Sequence, residues 1–287
     1  MPKIDNYVYM ITTIPSRLGK INEVLNSLIE PIPIILNLPK YSIREKKEYP
    51  DATFLKKKFK NLVIVSSDTD YGPCTKLIPG LNYLKIEYPD KNIGIVMVDD
   101  DMIYDKNLLI DLKYYHRKYP NSSIGFSGDV ICSYPYISSN LKHYNFRRIW
   151  LGDYHNVDFL HGWMGILHQS IFFDTKSISD FSEFPDYVKF VDDEWFSYLL
   201  AKKNINRIVC KHRKSNIPKN LNRSNGLNDK FTMNAFYQSS IINLMVKKKI
   251  IIPYGNQNIG DYIFQKIPTI LFHLLFAFII NYISTFF

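Results

Sequence analysis

Short apolar segments alternate with segments of helical periodicity over the first 98 residues, and this alternation constrains the fold most. Apolar runs that are typical of buried strands occupy 7–11, 32–36, 62–65 and 93–98. Between the runs, apolar residues recur at helical spacing at Ile21, Val24, Leu25, Leu28 and Ile29, and at Leu77, Ile78, Leu81, Leu84 and Tyr88. Such alternation requires crossover connections. It predicts an α/β fold with a mostly parallel central sheet flanked by helices.

The pattern continues less regularly towards the C-terminus. Helical spacing returns at 108–115, 193–203 and 231–246, and short apolar runs at 124–127 and 207–210 predict two more strands. Residues 133–158 have no clear period and predict loops and short strands, whereas the polar, basic stretch 211–229 predicts a mobile loop. We therefore expect a main domain at 1–229, a C-terminal helical appendage at 230–265 and a hydrophobic segment at 266–287.

Composition limits the class of protein and its partners. A chain of 287 residues with 46% hydrophobic residues is long enough to bury one large core. The net charge of +9 favours anionic partners, but no aromatic-basic RNA-binding signature or zinc-finger spacing occurs, so we expect no nucleic-acid partner. Cys74, Cys132 and Cys210 lie far apart, which fits a reducing compartment better than a disulfide framework.

The segment 267–287 predicts contact with a membrane. It has 21 residues without Asp, Glu, Lys or Arg, close to the ~20 that cross a hydrocarbon core. Lys266 and the lysines at 247–249 precede it, as expected for a cytoplasmic main domain. The segment therefore fits a membrane-spanning anchor. Its polar residues also fit a helix that lies in the membrane surface, and a helix docked on the domain's own core is the third alternative. With no secretory signal pattern at the N-terminus, we expect a cytoplasmic, membrane-associated protein.

Three consecutive carboxylates, Asp99, Asp100 and Asp101, stand where the apolar run 93–98 ends. Adjacent carboxylates repel one another unless a cation neutralises them. Mg²⁺ or Mn²⁺ suits such oxygen ligands and commonly takes one or two carboxylates, leaving other positions to water and nucleotide phosphates. The alternative is an acidic turn that faces solvent. Ligands of parallel sheets bind beyond the carboxyl ends of strands, so 12–17 and 99–101 are expected to share a cleft.

A second acidic group, Asp192, Asp193 and Glu194, stands at the predicted start of a helix. The helix dipole stabilises carboxylates there, although an ordinary helix cap has the same pattern. Two separate acidic groups fit an enzyme in which one group binds a metal and a nucleotide and the other accepts a proton from an attacking hydroxyl.

Five motifs occur in an order that resembles family-2-type glycosyltransferases of GT-A fold. They are TTIPSR, YGPCTKLIPGL, VMVDDDMIYD, VDFLHGWMGILHQSIFF and VDDEWFSYLLAKKNI. The resemblance covers residues 6–212 and is more specifically to polysaccharide- or glycan-building enzymes of bacteria and large DNA viruses. It implies a nucleotide-sugar donor, with a UDP-sugar favoured, a Mn²⁺ or Mg²⁺ cofactor, and a glycan, lipid or protein acceptor.

The resemblance also implies roles for individual residues. Asp99, Asp100 and Asp101 match a DXD-like motif, in which Asp101 coordinates the metal and Asp99 faces the metal or the ribose. His212 is a candidate third metal ligand, with an exposed histidine as the alternative. Candidates for binding the nucleotide sugar are Thr12, Thr13, Arg17, Asp68 and Lys76, together with Asp99 and Asp100.

The remaining implied roles concern the acceptor and the base. His161, Gly162 and Trp163 match the loop that borders the donor sugar and the acceptor, although Trp163 fits a plain core position equally well. Asp193, with Asp192 as the competing choice, matches the general base of inverting members.

Two other functions stay open at the level of sequence. A sugar-phosphate nucleotidyltransferase shares strand-end carboxylates, but the chain lacks a glycine-rich, basic phosphate loop near its N-terminus. A non-catalytic carbohydrate-binding protein with the same fold is the other alternative, and the presence of both acidic groups argues against it.

Overall fold

The computed structural model describes residues 3–138, 141–150, 154–221, 241–246, 248 and 250, with the backbone alone for 132–138, 141–148 and 150. The strands are β1 Asn6–Thr12, β2 Ile34–Pro39, β3 Tyr41–Ser42, β4 Lys47–Glu48, β5 Leu62–Ser67, β6 Ile93–Met97, β7 Met102–Ile103, β8 Ser122–Gly125, β9 Ser127–Ser138, β10 Leu141–Trp150, β11 His155–Asn156, β12 Phe159–Leu160, β13 Ile166–Gln169, β14 Asn206–Val209 and β15 Lys219–Asn220. The α-helices are α1 Pro15–Leu18, α2 Asn22–Ser27, α3 Phe54–Lys58, α4 Ile78–Glu87, α5 Leu108–Lys118 and α6 Asp192–Lys202. Short 3-10 helices cover Gly72–Lys76, Gly162–Met164, Ser170–Phe172, Ser177–Ser179 and Asp186–Phe190.

The largest sheet within the described residues has eight strands in the order β11-β14-β8-β13-β6-β1-β2-β5. β5, β2, β1 and β6 pair in parallel, as do β8 and β14. β13 enters between β6 and β8 in the antiparallel direction, and β11 pairs antiparallel with β14 at the edge. The predicted α/β class, with a mostly parallel central sheet, is confirmed.

Both faces of this sheet are covered, because residues of the central strands alternate between two cores. Val8 and Met10 of β1 belong to one core with α4 and α6, whereas Tyr9 and Ile11 belong to the other with α2 and α5. This alternation is the two-residue period of a strand buried on both sides. The helices therefore flank the sheet, as the sequence predicts, and leave the carboxyl ends of the parallel strands open at one edge.

Two segments differ from the sequence-based expectation. β9 and β10 are long strands that pair antiparallel and join β12 in a second sheet, where loops and short strands are predicted from residue 133 onward. Residues 211–221 pack on the domain, which corrects the predicted mobile loop over that part. The cause is Asp111, whose Oδ2 accepts the backbone N–H groups of 213–215 at 2.8, 2.9 and 3.0 Å. β15 then pairs with β7.

The C-terminal predictions are largely outside the described residues. Residues 241–246 are helical, and Ile241, Ile242 and Met245 are buried in the core that contains α6. The hydrophobic segment 266–287 lies entirely outside, so its membrane contact stays a prediction. Among the residues that are described, no helix has the length and apolar character needed to cross a membrane.

Candidate active site

A cleft of about 300 Å³ opens at the carboxyl ends of β1, β2, β5 and β6 and at the start of α6. It brings the two predicted acidic groups together. Its lining is Thr12, Thr13, Ile14, Arg17, Ser42, Arg44, Tyr49, Asp70, Gly72, Pro73, Lys76, Asp99, Asp100, Asp101, Trp163, Phe190, Val191, Asp192, Asp193 and Glu194. The position agrees with the general rule that ligands of parallel sheets bind beyond the strand ends.

Asp100 and Asp101 are held by the loop and the short helix α1 that follow β1. The Nη1 of Arg17 lies 2.8 Å from Oδ1 of Asp100 and 3.3 Å from Oδ2 of Asp101. The hydroxyl of Thr13 donates to the other oxygen of Asp100 at 2.5 Å. Arg17 is 6% exposed, so it is a buried partner of these carboxylates and not a surface arginine. Both loops face one cleft, as their sequence positions predict.

Lys76 joins the acidic group after β6 to the one on α6. Its ammonium contacts the carboxylate of Asp99 and lies 3.1 Å from Oδ2 of Asp192. Burial alone would lower the pKa of Lys76, but the carboxylates of Asp192, Asp99 and Asp193 outweigh burial and raise this pKa well above its ordinary value. Lys76 is therefore a permanent positive charge between the two acidic groups.

Asp193 is fixed by the backbone of the 162–165 turn. The N–H of Gly162 donates to Oδ1 of Asp193 at 3.0 Å. A Cβ on Gly162 would lie 3.2 Å from that oxygen and 3.4 Å from Nζ of Lys76, so the missing side chain permits the close approach. Burial, followed by the adjacent Asp192 carboxylate, raises the pKa of Asp193 well above its ordinary value. A carboxylate of raised basicity inside a cleft is suited to accept a proton.

Tyr104 connects the Asp99 backbone to the turn that carries Trp163. Its hydroxyl accepts the N–H of Asp99 at 2.8 Å and donates to the carbonyl of Trp163 at 3.2 Å. Trp163 lines the cleft and is also packed, partly buried, against the core that contains α2 and α5. The tyrosine thus sets the spacing between this tryptophan and the strand-end carboxylates.

Four predicted site residues do not line the cleft: Asp68, His161, Gly162 and His212. Asp68 is 84% exposed at its side chain and pairs with Lys40. His212 is stacked on Phe126 with ring centroids 4.2 Å apart, and its Nδ1 is bonded to the Ser215 hydroxyl at 2.7 Å.

His161, which is among these residues, contacts Asp129 and Ser127 of β9 through its ring. Gly162 contributes to the cleft through its backbone N–H, which donates to Asp193. Thr12 lines the cleft, and its hydroxyl donates to the carbonyl of Asn37 at 2.8 Å.

The sequence reasoning missed one wall of the cleft. Ser42, Arg44 and Tyr49 come from the β3–β4 hairpin, which lies in a polar crossover with no catalytic pattern. Asp70 takes the place expected for Asp68, and its two oxygens accept the N–H groups of Gly72 at 2.7 Å and Ile43 at 2.8 Å. The Asp-x-Gly spacing, which is typical of an Asx turn, was the available clue to Asp70.

The lining has the donor chemistry that a hard divalent cation requires. Among the described residues it contains seven carboxylates against three cationic side chains. Burial and the carboxylates of Asp99 and Asp100 raise the pKa of Asp101 despite Arg17 nearby, so the negative charge is incompletely balanced. Within the described part of the chain, no group of three or more His, Cys, Asp or Glu side chains is arranged to hold a metal. The set fits an ion that takes one or two carboxylates and completes its shell with water and phosphate.

Comparisons with known proteins give distant structural similarity. No protein-family model matches the chain, and no curated protein matches it in sequence. It is similar to the crystal structure of S. aureus TarS 1–349 in complex with UDP, at 16% identity and a TM-score of 0.46, covering 73% of this chain and 59% of that one. A second structure of TarS 1–349 gives 14% identity, a TM-score of 0.44 and the same coverage, 73% and 59%.

A third TarS structure gives 15% identity and a TM-score of 0.46, covering 73% of this chain and 36% of that one. The chain thus matches less than two thirds of each TarS chain.

Proposed function

We propose that this protein is a metal-dependent, inverting glycosyltransferase of GT-A type that uses a nucleotide-diphosphate sugar, with a UDP-sugar favoured. The acceptor is a hydroxyl of a glycan, a lipid or a protein. The observation that carries the proposal is the meeting of the two acidic groups in one cleft, where Lys76 contacts Asp99 and Asp192 and the Gly162 amide holds Asp193.

The strand-end side of the cleft is assigned to the donor. Asp101 and Asp99 would hold Mn²⁺ or Mg²⁺, and Lys76 and Arg17 supply positive charge for phosphate oxygens. When bound, the ion stabilises negative charge on the departing nucleoside diphosphate. Thr12 and Thr13, at the end of β1, are assigned to the nucleoside.

The helix side of the cleft is assigned to proton transfer. The Asp193 carboxylate accepts the proton of the acceptor hydroxyl while the hydroxyl oxygen forms a bond to the anomeric carbon. The bond from that carbon to the diphosphate oxygen breaks, and the diphosphate leaves with the electron pair. One displacement inverts the anomeric configuration. Asp193 suits this task because its raised pKa makes it more basic than an exposed carboxylate.

The test is a screen of nucleotide sugars for release of nucleoside diphosphate in the presence of Mn²⁺. Asp193→Asn is expected to lower kcat at least about 100-fold, because the amide accepts no proton, with UDP affinity changed less than about threefold. Asp101→Ala is expected to weaken UDP binding in Mn²⁺ and to abolish its sensitivity to chelation. Asp186→Asn is the matched control, since Asp186 is exposed and does not line the cleft.

The same screen separates the alternatives. Release of pyrophosphate from a nucleoside triphosphate and a sugar phosphate would identify a nucleotidyltransferase instead. Sugar or nucleotide binding without turnover by the parent protein would favour a non-catalytic binding protein. Full turnover by Asp193→Asn would place the base elsewhere, and UDP binding insensitive to both chelation and Asp101→Ala would remove the metal assignment.

A further inference from the structure

His161 directly precedes Gly162, whose N–H reaches the candidate base, and both its ring and its backbone are held by β9. Its Nε2 is 3.2 Å from Oδ2 of Asp129, and its Nδ1 is 3.2 Å from the hydroxyl of Ser127. Its backbone N–H also donates to the carbonyl of Ser127 at 2.9 Å. The histidine is 7% exposed. Ring and backbone are therefore both fixed to one strand of the second sheet.

The next peptide bond carries this restraint into the cleft. The carbonyl of His161 and the N–H of Gly162 belong to one planar peptide unit, so the orientation of His161 sets the direction of that N–H. The same N–H donates to Oδ1 of Asp193 at 3.0 Å. Anchoring one oxygen of Asp193 in this way also fixes the direction of the second oxygen.

We propose that His161 is a positioning residue, which, through its contacts with Asp129 and Ser127, holds the Gly162 amide against the carboxylate of Asp193. The inference rests on the proposed role of Asp193 as the base. It links β9 to proton transfer through a series of direct contacts. It also replaces the substrate contact that the family resemblance implies for His161.

A Ser-His-Asp nucleophile is the other chemistry that these three side chains suggest. Ser127 is 0% exposed and does not line the cleft, so a substrate cannot reach its hydroxyl. The hydroxyl serves as a partner for the imidazole. The imidazole thus has a polar partner at each ring nitrogen, the Asp129 carboxylate at Nε2 and the Ser127 hydroxyl at Nδ1.

The chain offers a closely matched control in His168. This histidine is 1% exposed, and its Nδ1 bonds to the Ser123 hydroxyl at 2.8 Å. It lies within β13 and does not line the cleft. A substitution at His168 therefore removes a buried imidazole and a serine contact without disturbing the peptide unit that reaches Asp193.

The first readout does not need activity. Hydrogen exchange of the Gly162 amide, followed by mass spectrometry under native conditions, is expected to become at least about tenfold faster in His161→Ala than in the parent, because the amide loses its fixed acceptor geometry. His161→Gln, whose amide nitrogen still reaches Asp129, should recover part of the protection. His168→Ala should leave the exchange of Gly162 within about twofold of the parent.

The second readout is kinetic. His161→Ala is expected to lower kcat about 10- to 100-fold with the donor KM changed less than about twofold, since only the placement of the base is altered. Unchanged Gly162 exchange in His161→Ala, or equal acceleration in His168→Ala, would overturn the positioning role. A parent protein without turnover would contradict the proposed function, while the exchange measurement would still decide the role of His161.

Discussion

Lys76 shows how one side chain organises the cleft at the scale of residues. It is 6% exposed and contacts carboxylates from two different elements, the loop after β6 and the start of α6. A buried ammonium is tolerated only when such partners compensate its lost hydration. The two acidic groups and the lysine therefore stabilise one another.

Asp158 gives a prediction about pH that is independent of catalysis. Burial raises its pKa to about 6, against an ordinary 3.8, although the Ile131 N–H donates to its Oδ2. The folded protein thus binds more protons than the unfolded chain between about pH 4 and pH 6, so stability from this residue is present at low pH and lost as the pH rises through that window.

Asp158→Asn tests this dependence, because the amide oxygen still accepts the Ile131 N–H but the side chain cannot ionise. The free energy of unfolding of the parent, relative to the variant, is expected to fall by about 2 kcal/mol from pH 4 to pH 7. Urea titrations of both proteins at each pH provide the measurement. Parallel pH profiles for the two proteins would show that Asp158 is not the source.

At the scale of elements, the wall of the cleft formed by β3 and β4 is attached to both neighbouring loops. The hydroxyl of Tyr49 donates to the carbonyl of Thr13 at 2.8 Å, on the loop after β1. The N–H of Ile43 donates to Asp70 at 2.8 Å, on the loop after β5. The hairpin is therefore part of a preformed cleft, which lowers the ordering cost of binding a ligand.

The segment 211–221 depends on Asp111 in a comparable way. This carboxylate on α5 is 0% exposed, and its Oδ2 accepts three backbone N–H groups and the Ser215 hydroxyl. Asp111→Ala is expected to cost about 2–4 kcal/mol of stability, because hydrogen bonds to a buried charge are strong and their donors would be left unpaired. Hydrogen exchange of amides 213–215 and urea titration measure both effects.

Asp174→Ala is the control for that prediction. Its Oδ1 accepts the N–H groups of Lys176 and Ser177 at 3.0 Å each, but the side chain is 49% exposed, so water can replace it. We expect a loss below about 1 kcal/mol there. A loss as small in Asp111→Ala would show that the 211–221 segment is held by other contacts.

At the scale of the whole molecule, the sequence predicts two kinds of feature. They are the strands and helices with a regular apolar period, and the grouping of polar residues at the ends of parallel strands. The periodicities of β1, β2, β5, β6, α4 and α6 are strong because both cores of the sheet depend on them. The grouping of Asp99–Asp101 with 12–17 follows from adjacency of β6 and β1 in a parallel sheet. The nearness of Asp193 to that group came from the family resemblance, since spacing along the chain gives no such distance.

The features that were missed depend on side-chain direction and long-range pairing. Asp68 and Asp70 stand two residues apart in one turn, and composition does not show which one faces the cleft. Insertion of the antiparallel β13 between β6 and β8 reflects a pairing far along the chain, which a local pattern does not encode. Packing of 211–221 depends on Asp111, about 100 residues earlier, which in sequence is an ordinary helix residue.

The central claim is that the cleft binds a metal together with a nucleoside diphosphate. Crystals grown with UDP and Mn²⁺, measured at a wavelength where manganese scatters anomalously, test it most directly. The expected result is a manganese peak about 2 Å from a carboxylate oxygen of Asp101, with the diphosphate between that peak and Lys76. Manganese and UDP bound outside the cleft, or UDP inside it with the metal remote from both Asp99 and Asp101, would contradict the account.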